Sequence, residues 1–267
     1  MKFLQCLTII FMILSIVAGS FLIPVAVAVY LHEWNMLSAF FIPMAILWAI
    51  TLLLFMRTKR QPIQLTVREG ILLVSAAWLG AGLLGAVPFM LSGFVPHFSD
   101  AFFESVSGFT TTGASALQNI ESYPMALRVW RTQMHWLGGM GIVALTVALF
   151  PLLGVGGFQL IKSETSGPDK GKVTAKITHT AKALWFIYLG MTVLQIILLC
   201  IAGMPFLEAM CHSFSTLGTG GFSTQNTSIG YYNSAAIEII CTVFMFFGGR
   251  EFQPLLSPFY RKTRRIF

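Results

Sequence analysis

Five charge-free stretches divide this chain, and each is long enough to cross a lipid bilayer. Lys2 to Glu33 encloses 30 uncharged residues, Glu33 to Arg57 encloses 23, and Glu69 to Asp100 encloses 30. Arg131 to Lys162 encloses 30 more, and Lys182 to Glu208 encloses 25. A spanning helix needs about 20 apolar residues. A sixth, weaker span is expected from about Tyr231 to Gly249 and contains Glu238. The first stretch is too long, and too lightly charged at its start, for a cleavable signal peptide, so it reads as a retained helix. Only 10% of the 267 residues are charged, against about 25% in soluble domains. That excludes a water-soluble enzyme, a disordered tail and a secreted disulfide scaffold. Cys6, Cys200, Cys211 and Cys241 form no C-x-x-C pair, which argues against zinc or redox chemistry. His32, His97, His135, His179 and His212 have no metal-ligand spacing.

The net charge of +7 follows the membrane. Lys and Arg concentrate on the cytoplasmic side of spanning helices. With the N-terminus inside and six crossings, 15 of the 17 basic residues are cytoplasmic, and only Arg128 and Arg131 fall outside. Nucleic-acid binding would need those charges on one face with aromatics between them.

Two short segments do not fit a plain helical bundle. Ser99–Phe109 and Leu207–Leu217 each hold 11 residues, a helix of only about 16 Å. The first runs into Thr110-Thr111-Thr112-Gly113-Ala114-Ser115, the second into Gly218-Thr219-Gly220-Gly221-Phe222-Ser223. Shifted by 108 positions, Asp100–Ser115 and Glu208–Ser223 share six of sixteen residues without a gap, where about one match is expected. The matches are Ala101/Ala209, Ser105/Ser213, Ser107/Ser215, Thr111/Thr219, Gly113/Gly221 and Ser115/Ser223. A spanning helix flanks each copy on both sides, so the chain carries an internal duplication of roughly a hundred residues.

The repeated unit is helix, half-helix, irregular Gly/Thr segment, helix. Non-helical backbone at membrane depth must be covered by protein or line a water-filled path, because lipid cannot satisfy its N–H and C=O groups. A half-helix aims its negative end into the membrane and favours a cation. The Gly/Thr stretch offers carbonyls that replace an ion's hydration shell. Neither stretch contains a carboxylate, which suits a weakly hydrated monovalent ion better than Ca²⁺ or Mg²⁺.

These features resemble the membrane subunits of bacterial Trk-type potassium uptake systems (the TrkH/TrkG family, within the Trk/Ktr/HKT superfamily). The resemblance runs through Phe103-Glu104-Ser105, Thr110–Ser115, Trp136-Leu137-Gly138-Gly139-Met140-Gly141 and Pro151–Gly157. It continues through Glu164, Gly167-Pro168, Thr180-Ala181, Leu184-Trp185, Tyr188, Gly218–Ser223 and Phe247-Gly248-Gly249. It implies an all-α integral membrane fold: two N-terminal helices, then two helix–pore-loop–helix repeats, half of a pseudo-fourfold cation channel fold. The expected division is 1–60 for the N-terminal extension and 61–160 for the first unit. The second unit occupies 161–249, incomplete in its last helix, and a divergent basic tail occupies 250–267. K⁺ would be held by the backbone carbonyls of Thr110, Thr111, Thr112 and Gly113 and of Gly218, Thr219, Gly220 and Gly221. The resemblance further implies a homodimer in the bacterial inner membrane, a cytoplasmic nucleotide-binding ring partner of the TrkA type, and no cofactor besides the transported ion.

Two units supply half a ring of carbonyls, so this polypeptide alone is expected not to conduct. After Gly249, Arg250-Glu251 and a basic tail replace the family pattern, which reads as a truncation or frameshift. The alternative is a non-conducting assembly or regulatory partner of a full-length subunit. A rhomboid-like protease would need Gly-x-Ser-Gly, and neither Gly113-Ala114-Ser115-Ala116 nor Gly221-Phe222-Ser223-Thr224 supplies it. Glu104 reads as a buried carboxylate behind the filter; its repeat counterpart is His212. For Arg128 and Arg131 the readings stay open: anchoring the filter loop, pairing with Asp100 or Glu121, or snorkelling to the interface. Gly80-Ala81-Gly82 and Gly138-Gly139 read as close-packing sites.

Overall fold

The computed structural model describes residues 2–58, 67–153 and 170–249. Gly154–Gly157, Glu164, Gly167-Pro168 and the basic tail, all named above, lie outside them. The fold is an all-α membrane fold. Helix α1 covers Lys2–Gly19, α2 Leu22–Tyr30, α3 Trp34–Arg57 and α4 Val67–Leu91. Then come the short α5 (Phe98–Phe109), α6 (Met125–Leu153), α7 (Lys170–Ile201), the short α8 (Phe206–Leu217) and α9 (Ala235–Gly248).

Among the described residues, four helical stretches are long and apolar enough to cross a membrane: Phe3–Tyr30, Trp34–Arg57, Arg68–Leu91 and Ala183–Ile201. The first is interrupted at Ser20-Phe21, where Pro24 has no N–H to donate to the helical ladder. The break turns Phe21 inward. It is fully buried, with ring centroids 5.7 Å from Phe40 and 4.6 Å from Trp130. Polar links hold α1 to α3: Ser15 Oγ lies 2.7 Å from Thr51 Oγ1, and Trp48 Nε1 donates to the Ser15 carbonyl at 3.1 Å.

Helix α6 packs against both short helices, α5 and α8. Its first turn is capped from outside the repeat. The Glu33 carboxylate, between α2 and α3, accepts the N–H groups of Met125 at 2.8 Å and Ala126 at 3.0 Å. Free N–H groups at a helix start favour an anion. Glu33→Ala is therefore expected to lower stability by about 1–2 kcal/mol, read as a reduced thermal midpoint in detergent, with Glu33→Gln intermediate.

The last helix differs from its expected span. Tyr231 and Tyr232 belong to a 3-10 turn, Ser228–Tyr232, not to the helix. Asn233 (φ +44°) and the extended Ser234 then interrupt the chain before α9 begins. Its 14 residues reach about 21 Å.

Candidate functional site: a doubled half-helix and filter

The two short helices each start one residue earlier than the sequence suggests and end where expected. Each closes with the same turn. Thr110, Thr111 and Thr112 donate their N–H groups to the carbonyls of Val106, Gly108 and Ser107 at 2.9, 3.1 and 2.9 Å. Gly218, Thr219 and Gly220 donate to Phe214, Thr216 and Ser215 at 3.1, 3.1 and 2.9 Å. All three bonds match at the 108-residue offset. The pattern is a Schellman-type ending, in which a left-handed residue closes the helix. That residue is Thr111 (φ +54°) and Thr219 (φ +56°). A β-branched residue is an outlier there and costs about 1–2 kcal/mol. Gly113 (φ +74°) and Gly221 (φ +95°) return to positive φ two residues later.

The turn leaves the filter carbonyls free. Among the described residues, no hydrogen bond ends on the carbonyl oxygen of any residue in 110–113 or 218–221. All eight residues expected from sequence therefore sit in two equivalent turns with unpaired oxygens. The segments also meet: a Cβ on Gly113 would fall far inside contact distance of the Gly220 carbonyl oxygen.

Glycines on α6 allow this approach. A Cβ on Gly138 would collide with the Phe109 carbonyl, at the end of the first short helix. One on Gly139 would come within 2.9 Å of the Gly218 Cα, in the second filter. These are packing positions, as expected. In the second unit a Cβ on Gly248 would meet the carbonyl oxygens of Thr216 and Leu217 at 3.3 and 3.4 Å, a looser approach to the end of the second short helix. The offset is now 110, because the second outer turn is two residues longer (Ser228–Tyr232 against Ile120–Ser122).

Behind the filters lies a polar network. Glu104 is fully buried, as expected, and pairs with Arg131 Nε. Its oxygens also accept the Ser115 hydroxyl and the Ala116 N–H, each at 3.1 Å. Arg131 Nη1 donates to the Ser223 carbonyl at 2.9 Å, and Arg128 Nη1 donates to that of Thr224 at 3.4 Å. Both arginines thus anchor the second filter loop. The partner of Arg131 is Glu104, not Asp100 or Glu121, and its burial rules out snorkelling. Glu121 instead accepts the Asn226 N–H at 2.9 Å, while Asn226 Oδ1 accepts that of Ile120 at 3.0 Å, tying the two outer turns together. In the second unit Glu208 accepts the Tyr232 hydroxyl and, at 3.0 Å, Gln225 Nε2. Burial and this carboxylate push the Tyr232 phenol above its ordinary range.

His135 and the ring of Phe222 have roles that sequence reasoning does not find. The His135 ring stacks on Phe222 at 4.1 Å, and its Nδ1 lies 3.1 Å from Ser215 Oγ. The Phe222 N–H points at the same Nδ1 at 3.5 Å. In a trans peptide the C=O opposes the N–H, so the Gly221 carbonyl is turned away from α6. A gapped comparison of the two units, with its offset of 110, is needed to pair this stretch of α6 residue by residue with α9.

A family model described as a cation transport protein, TrkH, matches residues 36–267. The Trk system potassium uptake protein TrkH of Halomonas elongata is 42% identical over 233 residues, covering 86% of this chain and 48% of that protein. The Salmonella typhimurium protein of the same name is 40% identical over 255 residues, covering 93% of this chain and 52% of its own length. The crystal structure of the potassium transporter TrkH from Vibrio parahaemolyticus superposes with a TM-score of 0.84 at 33% identity, covering 98% of this chain and 53% of that one. The chain spans about half the length of the relatives it matches. With its doubled half-helix and filter turn, it belongs to the TrkH family of cation transport proteins.

Proposed function

We propose that the chain lines one side of a K⁺ pathway across the bacterial inner membrane, with the ion held by the backbone carbonyls of residues 110–113 and 218–221. The observation that carries this is the pair of matching turns whose eight carbonyl oxygens accept no hydrogen bond from the described residues. Oxygens left unpaired inside a membrane protein need a partner, and a desolvated monovalent cation supplies one. The chemistry is transport, not covalent catalysis.

The pathway needs further walls. On α6, His135 and Gly139 seat the second filter; at the 110-residue offset their places are taken by Met245 and Gly249. These two line a cavity of about 330 Å³ beside Thr219 and Gly221. That cavity is the seat for another filter segment, and until it is filled the ion is stripped of water on one side without compensation. The N-terminus is cytoplasmic in this proposal, supported by the 15 basic residues that share that side. A homodimer resting on a cytoplasmic nucleotide-binding ring is the proposed assembly, supported by the family and by the basic segment Lys162–Lys182.

The test joins the chain at Gly249 to the unmatched half of the Halomonas elongata relative and expresses it in a host deficient in K⁺ uptake. The joined protein is expected to carry ⁸⁶Rb⁺, and the chain alone is expected to carry none above background. A joined protein that reaches the membrane folded yet moves no ⁸⁶Rb⁺ would overturn the proposal.

A further inference from the structure

We propose that the Glu104–Arg131 ion pair is a specificity-determining positioning element, which sets the spacing between the two filters and so the preference for K⁺ over Na⁺. The inference rests on the transport reading above. Neither residue belongs to the filters, but the pair bridges them. Glu104 stands on the short helix of the first unit and holds the outgoing segment of its filter through Ser115 and Ala116. Arg131 stands on α6 and holds the second filter through the Ser223 carbonyl. Its guanidinium also lies 3.7 Å from the centroid of Phe222, the residue after Gly221. One planar fork thus fixes three things at once: a carboxylate from one unit, a carbonyl from the next, and an aromatic ring that bounds the filter.

Stability does not explain the pair. Glu104 is 0% exposed and Arg131 5%, and a buried ion pair is often replaceable by apolar side chains without loss of stability. The duplication gives an internal comparison. A device for folding the repeat would be wanted in both units. The equivalent places in the second unit hold His212 and Cys241, which cannot form such a pair. The pair occurs where α6 lies between two filters, and its directional hydrogen bonds resist a change in their separation. Filters free to close together would accommodate the smaller Na⁺ as well as K⁺.

Two measurements test this. In the full chain in detergent, amide hydrogen exchange is compared for the unsubstituted protein, Arg131→Lys, and the double substitution Glu104→Gln with Arg131→Gln. The double substitution leaves no uncompensated buried charge, so the protein keeps its fold. Exchange over residues 218–225 is expected to rise roughly tenfold or more in the double variant, with α1 and α7 unchanged. Arg131→Lys is expected to be intermediate, because an ammonium keeps the charge but lacks the fork. In the joined protein, the concentrations of K⁺ and of Na⁺ that halve ⁸⁶Rb⁺ uptake are compared, and the double variant is expected to reduce the K⁺ preference roughly tenfold or more. Unchanged exchange over 218–225 would overturn the positioning role. Faster exchange with an unchanged K⁺ preference would leave a merely structural pair and overturn the specificity role. An unsubstituted joined protein that carries no ion would bring down the transport reading, and the specificity role with it.

Discussion

Gly113→Ala is expected to abolish ⁸⁶Rb⁺ uptake by the joined protein and to destabilise the full chain by about 3 kcal/mol. Two penalties coincide. Gly113 has φ +74°, a conformation that L side chains rarely adopt. Its Cβ would also collide with the Gly220 carbonyl oxygen, backbone of the facing filter that cannot rotate away. The collision must push the two filters apart, and the oxygens proposed to hold K⁺ are then separated. Gly93→Ala separates the two penalties. Gly93 has φ +75° but no neighbour within 4 Å of its Cβ, so it is expected to cost about 1 kcal/mol and to leave uptake unchanged. Chemical or thermal unfolding in detergent reads the stability, and tracer uptake reads the pathway.

Gly138→Ala should produce the second large effect, a loss of about 2–3 kcal/mol. The helical backbone there accepts alanine readily, and alanine is ordinarily worth about 1 kcal/mol more than glycine within a helix. The obstacle is the Phe109 carbonyl, against which the new methyl would press. Helix α6 must then part from the end of the first short helix and draw Arg131 away from Glu104. Gly190→Ala, on α7 with nothing within 4 Å, is expected to stabilise the chain by up to about 1 kcal/mol. Thermal midpoints of the two variants should therefore move in opposite directions.

Much of this site is legible in the sequence because its signals are local. The length of a half-helix and the Gly/Thr run after it sit within a short contiguous segment, and an ungapped offset brings the copies together. Those segments fold as expected to within one residue at their starts. The burial of Glu104 is also legible, from its place in mid-helix beside the Gly/Thr run, between Phe103 and Ser105. Its partner is not. Arg131 lies 27 positions away, and Asp100 and Glu121 offer the same carboxylate chemistry. The roles of His135 and Phe222 depend on ring geometry between residues 87 apart. That a helix follows each filter is legible, but the residue-by-residue register of α6 on α9 is hidden by a two-residue extension of one outer turn, which defeats the ungapped comparison. The break at Ser20-Phe21 has a signal in Pro24, but hydropathy reports a continuous apolar run and passes over it.

The sharing of α6 has a consequence for how the protein is made. The second filter rests on a surface, from Arg128 to Gly139, that the preceding unit has already built. A nascent chain delivers that surface first, and domains of a growing polypeptide fold in order from the N-terminus. The second filter turn is therefore cast against a mould laid down before it, whereas the first waits for the later α6 to close over it.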